Sequence, residues 1–142
     1  MLISADVLSI IGTDNGKSLT KEWIDSVALT KSFFFQQIRL VVDGVPTTLK
    51  KDQALFQRRA VVVFQPDSSG KSGYAVVESE KAITLADFAH DLMIMKAQEA
   101  IYTDMGDWDE GWFRKEKTGE LVTIGTSLAS TGRQSNWLIF RR

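Results

Sequence analysis

Apolar positions recur with strand-like and helix-like spacings along this chain of 142 residues. The segment 59–65 contains an unbroken apolar run between turn residues, which predicts a strand buried on both faces. The polar connection 66–73 is short, so the next strand, 74–78, should pair with it antiparallel. β-Branched and aromatic runs predict further strands at 33–42, 100–104, 121–124 and 136–141.

Two segments have the spacing of helices. Thr84 and Asp87 lie at capping-box distance, and apolar residues then repeat at helical spacing to about residue 98. Thr20 caps a weaker, N-terminal helix. We therefore predict an α+β fold, with a mixed, mostly antiparallel β-sheet, one clear helix at about 84–98 and one weaker N-terminal helix.

The chain shows no linker, internal repeat or low-complexity tract. We predict a single domain, 1–142, in which the N-terminal segment 1–32 is the least readable part. The opening residues lack the basic region of a signal peptide. No stretch reaches the ~18 apolar residues that a membrane-spanning helix needs, so no transmembrane segment is expected.

Composition excludes several classes of function. Seventeen Lys and Arg against eighteen Asp and Glu give a formal charge of −1, which argues against nucleic acid as a partner. Because the chain has no cysteine, disulfide scaffolds, Cys-based zinc sites and Cys nucleophiles are excluded. The one histidine, His90, falls within the predicted helix, where a structural role is the commoner one.

An acidic segment with interspersed tryptophans is the most unusual feature. Four carboxylates within seven residues repel one another, and a cation, sugar hydroxyls or a shared proton would relieve them. Indole faces also pack against sugar rings, so the composition suits a carbohydrate site. A solvated acidic loop is the alternative, and an irregular calcium site is another, although the spacing excludes an EF-hand. The residues are Asp104, Asp107, Asp109 and Glu110, with Trp108 and Trp112.

Arginines stand at two junctions between polar and apolar segments. Arg58 and Arg59 open the strand at 59–65, and arginine suits bidentate phosphate binding. Side chains alternate along a strand, so at most one of the two would face a given site. Arg133 and Asn136 precede the last predicted strand.

The order of these motifs resembles the C-terminal part of the phosphodiester glycosidase domain family, which includes the uncovering enzyme. The resemblance covers 33–142, and the Trp-rich acidic segment is similar to the Bacteroidetes branch. Met105 replaces the first glycine of the family's Asp-Gly-Gly, and its N-terminal Asn-Gly-Gly-Phe-Phe segment is not found. The matching motifs are Arg58-Arg59-Ala60, the capped helix from Thr84 to Leu92, Ala100 to Gly106, and Arg133-Gln-Ser-Asn136-Trp-Leu138.

The resemblance implies a hydrolase that releases a sugar such as N-acetylglucosamine from a phosphodiester, with no cofactor. It implies Asp104 as acid/base or nucleophile, Arg58 as phosphate ligand and Asn136 as the group that orients Asp104 or the sugar. The implied substrate-binding residues are Asp107, Asp109, Trp108, Trp112 and Arg133.

Other expectations accompany this one. The resemblance implies a secreted or periplasmic location. A non-catalytic module that binds carbohydrate or cell-envelope glycan is the alternative function, favoured by the missing N-terminal motif. The hydrophobic strand at 33–42 suggests pairing with a second chain, and therefore a homo-oligomer.

Overall fold

A computed structural model describes residues 2–4, 7–10, 12, 19–30, 32–49, 54–103 and 110–125. The chain divides into two compact units, Met1–Asp104 and Met105–Arg142. Helices and mostly antiparallel strands together form an α+β fold, which confirms the predicted class. The assignment of 1–142 to a single domain stays a prediction.

The described residues of the first unit form two antiparallel sheets. One has the strand order β2-β1-β3 and the other the order β5-β4-β8-β6-β7. The elements, in chain order, are β1 (Leu2–Ser4), β2 (Val7–Ser9), α1 (Lys21–Leu29), β3 (Phe33–Phe34), β4 (Arg39–Val42), β5 (Val45–Pro46), β6 (Arg59–Phe64), β7 (Tyr74–Glu78), α2 (Leu85–Ile94) and β8 (Ala97–Thr103).

Strand β6 lies inside the larger sheet, between β7 and β8. Ala60, Val61 and Val62 are consecutive and all buried. Because successive side chains of a strand point to opposite faces, both faces of the sheet are covered here. The prediction of a strand buried on both faces is confirmed, as is its antiparallel pairing with β7.

Helix α2 packs its apolar face against this sheet. Its N-cap is Thr84, whose Oγ1 accepts a hydrogen bond from the Asp87 backbone N–H at 3.0 Å and donates to Asp87 Oδ2 at 2.6 Å. The predicted cap is therefore confirmed. Four apolar side chains of the helix join the buried cluster beneath it: Leu85, Phe88, Ala89 and Leu92.

The helix ends earlier than its apolar pattern predicted. It stops at Ile94, Met95 is its C-cap, and Lys96 adopts a positive φ of 69° that turns the chain back into β8. Ala97 is buried in the sheet, so β8 begins at a residue that the apolar spacing had assigned to the helix, three residues before the predicted strand at 100–104.

The predicted strand at 33–42 is divided between the two sheets. Strand β3 pairs with β1, whereas β4 lies between β5 and β8. The polar pair Gln36-Gln37 interrupts the apolar run between them. Since β4 has a neighbour on each side, it offers no open edge to another chain.

The N-terminal helix was predicted from its cap. Thr20 Oγ1 accepts a hydrogen bond from the Trp23 backbone N–H at 3.2 Å, and α1 follows directly. This prediction is confirmed.

The described part of the second unit is a hairpin of β9 (Gly111–Arg114) and β10 (Leu121–Ile124). The turn of the hairpin contains residues 117–119, as the sequence predicted. Gly119 has a φ of 69°, a conformation that favours glycine, and its N–H donates to Lys115 O at 2.8 Å. The predicted strand at 136–141 lies outside the described residues.

Candidate functional site

The pairing of β6 with β8 brings together two segments that the sequence analysis had singled out separately. Arg59 lies opposite Thr103, and Ala60 lies opposite Tyr102. The start of β6 and the end of β8 therefore lie at the same end of the sheet. We call this place, comprising Arg58, Arg59, Tyr102 and Thr103, the arginine end. Asp104 follows Thr103 in the sequence and lies outside the described residues.

Arg58 is buried, with 4% of its surface exposed. Its guanidinium donates from Nε to Ile83 O at 3.2 Å, from Nη1 to the Tyr102 hydroxyl at 3.3 Å, and from Nη2 to Ala54 O at 2.9 Å. The Arg58 backbone N–H donates to Ser79 Oγ at 2.8 Å. Three neutral acceptors thus fix the plane of the guanidinium, because each accepts from a different nitrogen.

Two aromatic rings flank the same guanidinium. The Arg58 Cζ atom is 5.1 Å from the centre of the Phe56 ring and 5.7 Å from that of Tyr102. Both distances lie in the range of cation–π attraction. Tyr102 therefore contacts Arg58 twice, through its ring and through its hydroxyl.

Arg59 has a different environment. Its Nε donates to Glu78 Oε2 at 2.8 Å, and Nη2 contacts the same oxygen. Glu78 is its cross-strand partner on β7. Tyr102, which accepts a hydrogen bond from Arg58, belongs to the buried cluster under α2. Glu78, the partner of Arg59, lies on β7. The two adjacent arginines thus have separate partners, as alternation along a strand requires.

One buried polar atom at the arginine end has no partner in the described part of the chain. The Thr103 Oγ1 atom is inaccessible to solvent and makes no hydrogen bond. A buried hydroxyl without a partner costs stability, and such costs are tolerated where a group serves another purpose. Thr103 immediately precedes Asp104, so its hydroxyl is a further candidate for this site.

The hairpin of the second unit presents aromatic side chains to solvent. Trp112 and Phe113 are 53% and 49% exposed. They are neighbours on β9, so they lie on opposite faces of the hairpin. A solvent-exposed indole face can stack on a sugar ring, which is the role predicted for Trp112.

The remaining predicted site residues lie outside the described residues. Arg58 and Trp112 are described, but they belong to different units. A single pocket that joins the predicted residues therefore stays a prediction. The residues concerned are Asp104, Asp107, Trp108, Asp109, Arg133 and Asn136.

No group of three or more His, Asp or Glu side chains that could hold a metal ion occurs among the described residues. Glu110 is described, but the other acidic residues of the calcium alternative are not. That alternative also stays a prediction.

Sequence reasoning did not single out Tyr102, Phe56, Glu78 or Thr103 as parts of this site. A signal for Tyr102 exists in retrospect: it stands two residues before Asp104, and residues two apart share a face of a strand. Phe56 stands two residues before Arg58, so its position offered a local signal of the same kind. Glu78 carries no comparable signal, because its proximity to Arg59 arises from pairing between distant segments.

Comparisons with protein-family models, with curated proteins and with solved structures found no match for this chain. Within the described ranges, neither helix is long and apolar enough to cross a membrane.

Proposed function

We propose that this chain hydrolyses the bond between the anomeric carbon of a sugar and the oxygen of a phosphodiester. The observation that supports the proposal is the register of β6 and β8. It brings Arg58 and Arg59 to the same end of the sheet as Thr103, the residue before Asp104. A positive charge stabilises the departing phosphate in such a reaction, and a carboxylate stabilises the positive charge that develops at the anomeric carbon.

The chemistry assigns a role to each predicted residue. Water adds its oxygen to the anomeric carbon, the carbon–oxygen bond to phosphate breaks, and the water proton ends on the released phosphomonoester. The transition state resembles an oxocarbenium ion, which the Asp104 carboxylate stabilises as nucleophile or acid/base. Positive charge from arginine supports the departing phosphate. Asn136 orients Asp104 or the sugar, and Arg133, Asp107, Asp109, Trp108 and Trp112 bind the substrate.

The test is release of free sugar from an N-acetylglucosamine phosphodiester. Asp104→Asn should lower the rate by about 100-fold or more, because it removes the carboxylate charge and leaves the shape unchanged. Asp91→Asn is the matched control, since Asp91 is an exposed carboxylate on α2, and it should leave the rate unchanged. Circular dichroism checks the fold of both variants. Equal rates for wild type and Asp104→Asn would remove Asp104 from the mechanism.

The exposed indole of Trp112 supports a second candidate, a module that binds glycan without cleaving it. If the chain is such a module, N-acetylglucosamine oligomers should quench its tryptophan fluorescence and no sugar should be released. Trp112→Ala should then reduce the quenching, whereas Phe113→Ala, on the opposite face of the hairpin, should not. Sugar release by the wild type would support the hydrolase and contradict the non-catalytic binding module.

A further inference from the structure

We propose that one face of the β9–β10 hairpin binds a sugar that carries a phosphate, with Trp112 under the sugar ring and Arg114 at the negative charge. Thr123 completes this site as a hydrogen-bonding hydroxyl. The inference rests on the proposed function for its choice of ligand, and it deepens that function by naming the residues that recognise the charged sugar. All three residues belong to the described part of the second unit.

The register of the hairpin places the three side chains on the same face. Trp112 lies opposite Thr123 on β10. Arg114 lies opposite Leu121. Residues two apart on a strand point to the same face, and the Cα atoms of Trp112 and Arg114 are about 7 Å apart, the length of two extended residues. The face therefore presents an indole, a hydroxyl and a guanidinium side by side.

The type of pairing brings the Trp112 and Thr123 side chains close together. The Lys115 backbone N–H donates to Glu120 O at 2.8 Å, so these two residues form a hydrogen-bonded pair. Hydrogen-bonded and non-hydrogen-bonded pairs alternate along an antiparallel ladder, which makes Trp112 and Thr123 a non-hydrogen-bonded pair, the type with the closer side chains. The Thr123 hydroxyl therefore lies beside the indole, where it can bond to a hydroxyl of a stacked sugar ring.

Exposure to solvent distinguishes this face of the hairpin from the opposite one. The opposite face is partly covered, since Val122 and Ile124 are half-buried there. The four side chains of the proposed face are all exposed: Trp112, Arg114, Leu121 and Thr123. A ligand from solvent therefore reaches the indole and the guanidinium without a change in the hairpin.

Arg114 has the charge and the donors that an anionic group requires. Its Nη1 donates to Gly119 O at 2.7 Å, which ties the side chain to the turn through a neutral acceptor. Glu120, a carboxylate of the same turn, pairs with Lys115 at 2.8 Å. The ion pairs among the described residues do not include Arg114. Since a guanidinium is always protonated and its planar fork matches phosphate oxygens, a phosphate on the sugar complements this charge.

The experiment follows the indole N–H signal of Trp112 by NMR in the full chain, with Trp112→Phe assigning the signal. The probes are N-acetylglucosamine 1-phosphate, uncharged N-acetylglucosamine and inorganic phosphate. We expect the sugar phosphate to shift the signal with an affinity about fivefold or more above that of the neutral sugar. Inorganic phosphate alone should leave the signal unchanged, because it offers no ring to stack on the indole.

Variants test the source of this preference for the charged sugar. Arg114→Gln should lower the affinity for the sugar phosphate to that for the neutral sugar, whereas Arg114→Lys keeps the charge and should keep most of the preference. Lys115→Gln is the matched control, because it removes an equal charge on the opposite face, and it should keep the preference. In the wild type, added salt should weaken binding of the sugar phosphate and leave that of the neutral sugar unchanged.

The outcomes separate this inference from the proposed function. Equal affinities of the wild type for the charged and the neutral sugar, at low salt, would overturn the role of Arg114. A Trp112 signal that neither sugar shifts would overturn the whole site, even where sugar is released from the phosphodiester. Absence of sugar release contradicts the proposed function, while a Trp112 signal that responds to the sugar phosphate in the same samples still supports the site on the hairpin.

Discussion

Arg58 and Arg59 are adjacent in the sequence, yet their side chains have different partners. The Arg58 guanidinium donates to two carbonyls and to the Tyr102 hydroxyl and lies near the rings of Phe56 and Tyr102. Arg59 pairs with Glu78 on the neighbouring strand. The sequence places both at the start of a strand and predicts that they separate by face. It does not identify the buried one, because Ile83 and Tyr102, two of its partners, come from segments that only the folded chain brings close.

Asp67 offers a prediction at the same scale. Its carboxylate accepts hydrogen bonds from the Ser69 hydroxyl, from the Ser69 backbone N–H at 2.7 Å and from the Lys71 backbone N–H at 3.2 Å. These bonds, led by that of the Ser69 side chain, hold the pKa of Asp67 below its usual 3.8. The stabilisation is therefore present above pH 3.8 and is lost as the pH falls through the lowered value.

We expect Asp67→Asn to be less stable than wild type at neutral pH, with the difference shrinking as the pH falls below 3.8. Urea unfolding at a series of pH values measures it. Asp91→Asn, at an exposed position of α2, serves as the control and should show no comparable trend. A gap between wild type and Asp67→Asn that stays constant down to the lowest pH would exclude the assigned cause.

At the scale of elements, the first residues of the helices are predicted better from the sequence than the last residue of α2. Thr84 and Thr20 mark the beginnings of α2 and α1, because a cap is a local hydrogen bond between a side chain and a backbone group three residues on. The end of α2 is different. Its apolar spacing continues past Ile94, but burial of Ala97 in the sheet decides where the strand begins.

Lys96 stands at this boundary with a φ of 69°. Because glycine adopts this conformation without the steric cost of a Cβ, we expect Lys96→Gly to raise the free energy of unfolding by about 0.5–1 kcal/mol. Chemical denaturation measures the change. Lys96→Ala removes the same side chain and keeps the Cβ, so it should not stabilise. Equal gains from both variants would point to the loss of the lysine charge instead.

At the scale of the whole molecule, the described residues of the first unit form a buried apolar cluster between α2 and the larger sheet. Leu40 and Val62 from the sheet and Leu92 from the helix are fully buried and belong to one cluster. A helix packed on one face of an antiparallel sheet is typical of an α+β unit. The predicted homo-oligomer stays a prediction. Of the two strands into which the proposed pairing segment divides, β4 lies inside the larger sheet and β3 lies at the end of the order β2-β1-β3.

Leu92→Ala should therefore lower the free energy of unfolding by about 2–5 kcal/mol, since it leaves a cavity where 0% of the side chain was exposed. Leu29→Ala is the matched control: Leu29 ends α1 and is 86% exposed, so its removal should change stability by less than about 0.5 kcal/mol. Thermal or chemical unfolding of the full chain compares them. Similar losses from both would contradict the assigned core.

Local patterns in the amino-acid sequence were enough to predict the α+β class, the caps of both helices, the strand buried on both faces and the turn at Gly119. Each depends on spacing or on local hydrogen bonds within a few residues. Three features became apparent only in the folded chain: the residue at which α2 ends and β8 begins, the division of 33–42 between two sheets, and the contacts of Arg58 with Ile83 and Tyr102. These features depend on pairing and burial between residues far apart in the chain. A local sequence pattern does not predict the free energy of such contacts.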